Sequence, residues 1–344
     1  MDATTTLNKP TPSIIAISEV VRMMRMHPGG PKRAKITLGG WSDYARIGTP
    51  ENGVKIAKLA AKLVGYSFAD GLDIDMEHLT PFSNKTMFGP TTDEFAAFAA
   101  FINQLRVEFD ALTTTWKANA LSRSAAMVKE YNAYASWQQK EVAPYYLTNI
   151  AYLKEVAANP PPHLEISWTT RFNAWVPVND PFNYHMPGTA TPNVTYPTDN
   201  EGTKLWPQVK DSVDTINIMA YDAGVLDINF TQVFVNFIEL SKDPEIAGKM
   251  NMGFEPGEQY AGGHWEGKER DLNTTQYVKD NGIGGIMIWA VNSNPKQSPT
   301  GSKLCPEMAN LINPMLEPKY AYGPAPNYTK CDASTGYVQE GDEL

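Results

Sequence analysis

Asp73, Asp75 and Glu77 occupy alternate positions in the octet Asp70–Glu77, DGLDIDME, and Leu72, Ile74 and Met76 fill the gaps. An extended strand sends successive side chains to opposite faces, so this spacing puts the carboxylates on one face and the apolar side chains on the other. Carboxylates this close repel one another. One of them must hold its proton above the usual carboxylate range, as a general acid requires. A calcium loop would interleave polar residues and place a glycine at its sharp turn, whereas Leu72, Ile74 and Met76 demand burial. A solvated edge strand would carry mixed or basic charge. The octet reads as the acidic end of a catalytic strand.

Such a strand needs a sheet to hold it, and the flanking sequence alternates helix and strand patterns. Ile14 to His27 carries apolar residues at helical spacing and stops at Gly29-Gly30-Pro31. A strand at Ala34 to Leu38 runs into Gly39-Gly40-Trp41, and Asn52 to Val64 reads as a helix. Beyond the octet, Thr92 to Leu112 and Ala120 to Ala158 are helical in pattern, the second stopped by Pro160-Pro161-Pro162. Further strands are expected at Leu164 to Thr169, Thr215 to Tyr221, Met250 to Phe254 and Gly285 to Trp289, with helices at Thr231 to Leu240 and Thr274 to Asp280. This is the rhythm of parallel βα units, an α/β fold of the (β/α)8 TIM-barrel type with six of its eight strands in view. Residues 1–300 are assigned to this partial barrel and 301–344, rich in Pro, Tyr and Gly, to an irregular C-terminal tail. The loop from Arg171 to Lys210 follows a strand, so it belongs to the catalytic face. Its Phe172, Trp175, Phe182, Tyr184, Tyr196 and Trp206 fit a sugar platform or packing beneath a long loop equally well.

A chain of 344 residues, 42% hydrophobic, buries a large core. Its net charge of -9 argues against nucleic acid and anionic membrane as partners, since both need clustered Lys and Arg. No apolar run reaches the length of a membrane span. The five histidines are scattered without metal-ligand spacing, and neither metal nor cofactor is implied. Glycosylation sequons at Asn84, Asn193, Asn229, Asn273 and Asn327, the cysteines Cys305 and Cys331, and a terminus ending in Asp-Glu-Leu favour the secretory pathway or the extracellular space. The terminus also allows retention in the endoplasmic reticulum.

The octet resembles the DGxDxDxE signature of the glycoside hydrolase family 18 chitinases, matching at Asp70, Gly71, Asp73, Asp75 and Glu77. Three other segments follow in that family's order. Thr37-Leu38-Gly39-Gly40-Trp41 resembles its SxGG strand, Met219-Ala220-Tyr221-Asp222 its MxYD strand, and Gly285 to Trp289 the strand ending in its subsite-floor tryptophan. The resemblance covers roughly residues 15 to 295. Nothing before Ile14 matches the family's first two barrel strands, so the expectation is an N-terminally incomplete barrel whose gap another segment or chain would fill. The short stretch after the Met250 strand leaves no room for the α+β insertion of many processive relatives, which implies an open groove. Phe254-Glu255-Pro256-Gly257 stands where the family usually shows a Pro-Tyr-Gly type of strand end, and that part of the site stays unassigned.

The resemblance implies substrate-assisted, retaining cleavage of β-1,4-linked N-acetylglucosamine, without a protein nucleophile. Glu77 is then the general acid, Asp75 orients the substrate's N-acetyl group, Asp73 tunes Asp75, and Tyr221 with Asp222 hydrogen-bond around the acetyl group. Trp289 is the apolar floor beneath the sugar, and Trp41, Gly40, Met219 and Trp175 are further substrate-binding candidates. The implied substrate is chitin or another N-acetylglucosamine-containing oligosaccharide, cut in endo fashion. Two alternatives stay open, a non-hydrolytic chitin- or glycan-binding lectin-like protein and an endo-β-N-acetylglucosaminidase acting on N-glycan cores.

Overall fold

The structure, a computed structural model, describes residues 12–26, 33–40, 43, 46–79, 94–175, 201–222, 228–257, 265–289 and 301–316. Its strands are β1 (Lys35–Gly39), β2 (Gly71–Asp75), β3 (Glu165–Arg171), β4 (Thr215–Met219), β5 (Met250–Phe254) and β6 (Gly285–Ile288). They form one sheet in the order β1-β2-β3-β4-β5-β6, and among the described residues that sheet is open, with β1 and β6 at its edges. The pairs β3-β4, β4-β5 and β5-β6 are parallel. This α/β architecture is the one the alternating pattern predicts.

The helices are α1 (Pro12–Met26), α2 (Pro50–Ser67), α3 (Phe95–Ala133), α4 (Ser136–Ala158), α5 (Trp206–Val209), α6 (Phe230–Ser241), α7 (Ile246–Lys249), α8 (Lys268–Asp280) and α9 (Gly301–Leu316). They differ from expectation in several places: the single helix expected over Ala120 to Ala158 is divided at Tyr134-Ala135 between α3 and α4, and α5 and α7 lie where no helix was expected. The break expected between residues 112 and 120 is absent, and α3 runs 39 residues unbroken to Ala133. Thr113, Thr114 and Thr115 are kept helical by hydroxyls that donate back to carbonyls of the preceding turn, while Trp116 and Ala120 are fully buried. The tail expected to be irregular from 301 begins with the helix α9, whose Cys305, Met308, Ala309 and Ile312 are buried. Their three- and four-residue spacing puts them on one face.

The chain divides into two compact units, one formed by Met1–Leu38, Ile47–Asp73 and Ala96–Ile166, the other by Gly39–Arg46, Ile74–Phe95 and Ser167–Leu344. In the first, Phe98, Phe101, Ile102, Leu105 and Phe109 recur at helical spacing along α3 and are all fully buried. Helix α2 starts where Thr49 accepts a hydrogen bond from the Asn52 amide at 3.2 Å, with Pro50 at the first helical position. Asp70, the first acid of the octet, is structural. It is buried, lies 3.2 Å from Arg25, and accepts the Ala34 amide at 2.7 Å, which anchors the start of β1.

The second unit carries the C-terminal ends of the strands. Its core includes Trp168, Trp175 and Trp206, none with exposed surface, and Trp175 stacks on Phe237 with ring centroids 4.2 Å apart and planes 10° apart. Helix α6 is capped by Asn229, whose side chain accepts the Gln232 amide at 3.1 Å. The sequons at Asn229 and Asn273 therefore sit on helices, at the start of α6 and within α8. Those at Asn84, Asn193 and Asn327, like Cys331, lie outside the described residues. Among the described residues no helix is long and apolar enough to cross a membrane.

Candidate active site

The alternation read in the octet is present in β2, where Leu72 and Ile74 are buried while Asp73 and Asp75 are half-buried. Asp73 Oδ2 lies 3.5 Å from the hydroxyl of Thr37, the residue that replaces the serine of the SxGG pattern. Two residues further, the Asp75 carbonyl accepts the Gly40 amide at 2.7 Å. Gly39 is required here, because its φ is 113° and a Cβ on it would fall 2.1 Å from the Asp75 carbonyl oxygen. The double glycine lets the chain cross the end of β2 in contact. Gly40, with φ of 108°, lies beside the Asp75 carboxylate, whose Oδ2 is 3.9 Å from where a Cβ on Gly40 would stand.

Glu77, beyond the end of β2, is half-buried, and loss of water raises its pKa. The guanidinium of Arg171, at the end of β3, opposes that rise, and the carboxylate of Asp222 adds to it. A carboxyl whose pKa is raised at the end of a strand is suited to act as a general acid.

The strand β4 delivers Tyr221 to the same carboxyl groups. Met219 and Tyr221 are both buried, and Asp222 follows with a positive φ of 55°. Burial pushes the Tyr221 phenol well above its ordinary pKa, and Asp75, Glu255, Asp222 and Glu77, in that order of effect, push it further. The phenol therefore keeps its proton and can donate it in a hydrogen bond to an acceptor such as a carbonyl oxygen. Beneath the strand ends a polar row crosses the sheet, with Asn217 donating to the Thr169 hydroxyl at 3.3 Å and Asn251 donating to the Asn217 carbonyl at 3.0 Å. These bonds fix the register of β3, β4 and β5 below the residues they present.

Trp289 ends β6, donates its backbone amide to the Phe254 carbonyl at 2.9 Å, and leaves about half of its surface exposed, 49%. An indole face open to solvent is available to a sugar ring. Trp175 is different. Its ring is enclosed by Trp168, Trp206 and Phe237, with no exposed surface, so it has no face to offer a ligand and belongs to the core. Trp206 of the same aromatic loop is equally enclosed. Trp41, Phe182, Tyr184 and Tyr196 lie outside the described residues.

Two residues at this site escaped the sequence reading. In the sequence Arg171 reads only as the start of a loop, and its place two residues after Thr169 on the same strand period is the signal that puts it on that face. Glu255 stood in the unassigned Phe254-Glu255-Pro256-Gly257 segment and is buried at the end of β5. Among the described residues no group of three or more His, Cys, Asp and Glu side chains is arranged to hold a metal ion.

Comparison with protein-family models and with curated proteins finds no match to this chain. Solved structures do match. Catalytic domain 2 of the Group II chitinase of Ostrinia furnacalis superposes with a TM-score of 0.50 at 13% identity, covering 87% of this chain and 80% of that one. The Group IV chitinase of the same species gives 0.49 at 14% identity over 89% and 85% of the two chains. A chitinase from Rhizomucor miehei gives 0.46 at 14% over 81% and 82%. At such identities the likeness is one of fold.

Proposed function

We propose that this chain is a glycoside hydrolase that cleaves β-1,4-linked N-acetylglucosamine, in chitin or chito-oligosaccharides, by a substrate-assisted retaining mechanism. The observation that carries the reading is the meeting of Glu77, Asp75, Tyr221 and Asp222 at the strand ends, with the Tyr221 phenol within the field of the three carboxyl groups. Glu77 protonates the oxygen of the scissile bond. Asp75 accepts the N–H of the substrate's acetamido group and turns its carbonyl toward the anomeric carbon, and Asp73, two residues earlier on the same face of β2, tunes Asp75. Tyr221 donates to that carbonyl, Asp222 raises the proton affinity of Glu77, and Trp289 supplies an apolar surface beneath the pyranose. Gly40, Met219 and, from the sequence, Trp41 complete the lining. No cofactor enters this scheme.

The experiment is hydrolysis of the N-acetylglucosamine tetramer by the wild type and by Glu77→Gln. Removing a general acid costs about 10²–10⁴-fold in rate, so the variant is expected to lose at least a hundredfold. Equal rates in the two proteins would sink the assignment. An endo-β-N-acetylglucosaminidase would release glycans from a denatured N-glycoprotein, and a lectin-like protein would bind the tetramer without turning it over. A secretory or extracellular location suits this substrate and is tested by locating the full-length protein in its cell of origin.

A further inference from the structure

Glu255 is a carboxyl at the end of β5 that the reaction scheme above leaves unused. In β5 the side chains of Asn251, Gly253 and Glu255 share a face, and in β4 those of Asn217, Met219 and Tyr221 do. Asn217 pairs with Asn251 in the polar row, and continuing that register beyond the strand ends by the two-residue period puts Tyr221 and Glu255 at matching positions. Gly253 brings the two strands close there, since a Cβ on it would lie 3.0 Å from Tyr221 Cε1 and 2.9 Å from Met287 Cε. On the other side, the peptide that precedes Glu255 is tied to Trp289 by the 2.9 Å bond from the Trp289 amide. Pro256 follows and restricts Glu255 to extended backbone. Cys305 of α9 backs this turn, its Sγ lying 3.8 Å from the carbonyl oxygens of both Pro256 and Trp289.

The carboxyl is thus held rigidly, 7% exposed, on the strand between the one that ends in Tyr221 and the one that ends in Trp289. A residue serving packing alone at such a point would be apolar, because burying a carboxyl is costly. Its electrostatic effect on the Tyr221 phenol ranks second, behind Asp75 and ahead of the adjacent Asp222, which agrees with the register.

We propose that Glu255 is a specificity-determining substrate ligand, whose carboxylate accepts a hydrogen bond from a hydroxyl of the sugar held between Tyr221 and Trp289. This rests on the hydrolase reading, which supplies the sugar. A carboxyl oxygen accepts a hydrogen bond from a hydroxyl, and a partner at that point satisfies a group that is costly to bury without one. The site therefore selects a saccharide that presents a hydroxyl at that point and discriminates against one that lacks it.

The test measures calorimetric binding of the N-acetylglucosamine tetramer to Glu77→Gln protein, in which the ligand persists, and to the same protein also carrying Glu255→Gln. The second change is expected to weaken binding about tenfold with an unchanged thermal transition. Affinities within twofold of each other overturn the proposal. If Glu255→Gln does not fold, Glu255→Asp takes its place, keeping the charge but withdrawing it by one methylene, with the same expected and overturning results. Monodeoxy tetramers supply the second arm, since one of them should bind the Glu77→Gln protein about tenfold more weakly and lose that deficit when Glu255 is also changed. A deficit that persists in the double variant overturns the proposal. Tetramer binding without any hydrolysis by the wild type would instead overturn the hydrolase reading and leave Glu255 to be judged on the affinities alone.

Discussion

Glu77 owes its raised pKa to lost hydration and to Asp222, against the opposing charge of Arg171, and the charged contributions can be removed separately. Replacing Arg171 by Met removes the only contribution that favours the charged form, so the Glu77 pKa rises further. A general acid works while protonated, and its activity falls as pH climbs through its pKa. The alkaline limb of the kcat/KM profile is therefore expected to move to higher pH in Arg171→Met. A limb that stays in place, or moves down, would remove Glu77 from the role of acid. The three alternating acids were legible in the sequence because a strand's period of two needs no tertiary information. Arg171 and Glu255 were not, because their meaning depends on neighbouring strands that lie far away along the chain.

At the scale of elements, the loop after β3 shows where composition misleads. Six aromatics in a polar stretch read equally as platform or packing, and the structure puts Trp175 and Trp206 in the core against α6 residues such as Phe237. Trp175→Ala should cost about 3–5 kcal/mol of stability, as truncation of a buried aromatic does, read from the denaturant midpoint. A variant of wild-type stability that no longer binds the tetramer would return Trp175 to the sugar site. The strand expectations came within a few residues of the observed bounds, because short apolar runs between Gly and Pro punctuation leave little choice. The helix α9 was missed because its Pro-rich surroundings masked the spacing of Cys305, Met308, Ala309 and Ile312. The continuity of α3 was missed for another reason, since the Thr run at 113–115 reads as a break unless Trp116 is known to be buried.

At the scale of the molecule, two buried carboxyls outside the reaction scheme bear on stability. Glu201 accepts a short hydrogen bond from the Thr170 hydroxyl, and Asp271 accepts from Trp265 Nε1 at 2.9 Å. Burial raises each of them to a pKa of about 7. Unfolded, they titrate near the ordinary values of 4.5 and 3.8. Between those values and about 7 the folded protein binds more protons than the unfolded chain, so their contribution to stability falls as pH rises across that window. Asp271→Asn keeps an acceptor for Trp265 without the charge. It is expected to raise the thermal midpoint at pH 8 more than at pH 4, by several degrees. An equal shift at both pH values would show that Asp271 is not the titrating group.

The sequence by itself determined the alternating α/β order and the acidic face of β2, because each follows from local period. The tertiary structure decided which groups share a field. The parallel register of β4 and β5 sets Tyr221 and Glu255 on neighbouring strand ends, enclosure by Phe237 and Trp206 removes Trp175 from solvent, and burial together with Asp222 raises Glu77. Burial and charge proximity are properties of space between distant segments, and no local pattern along the chain encodes them.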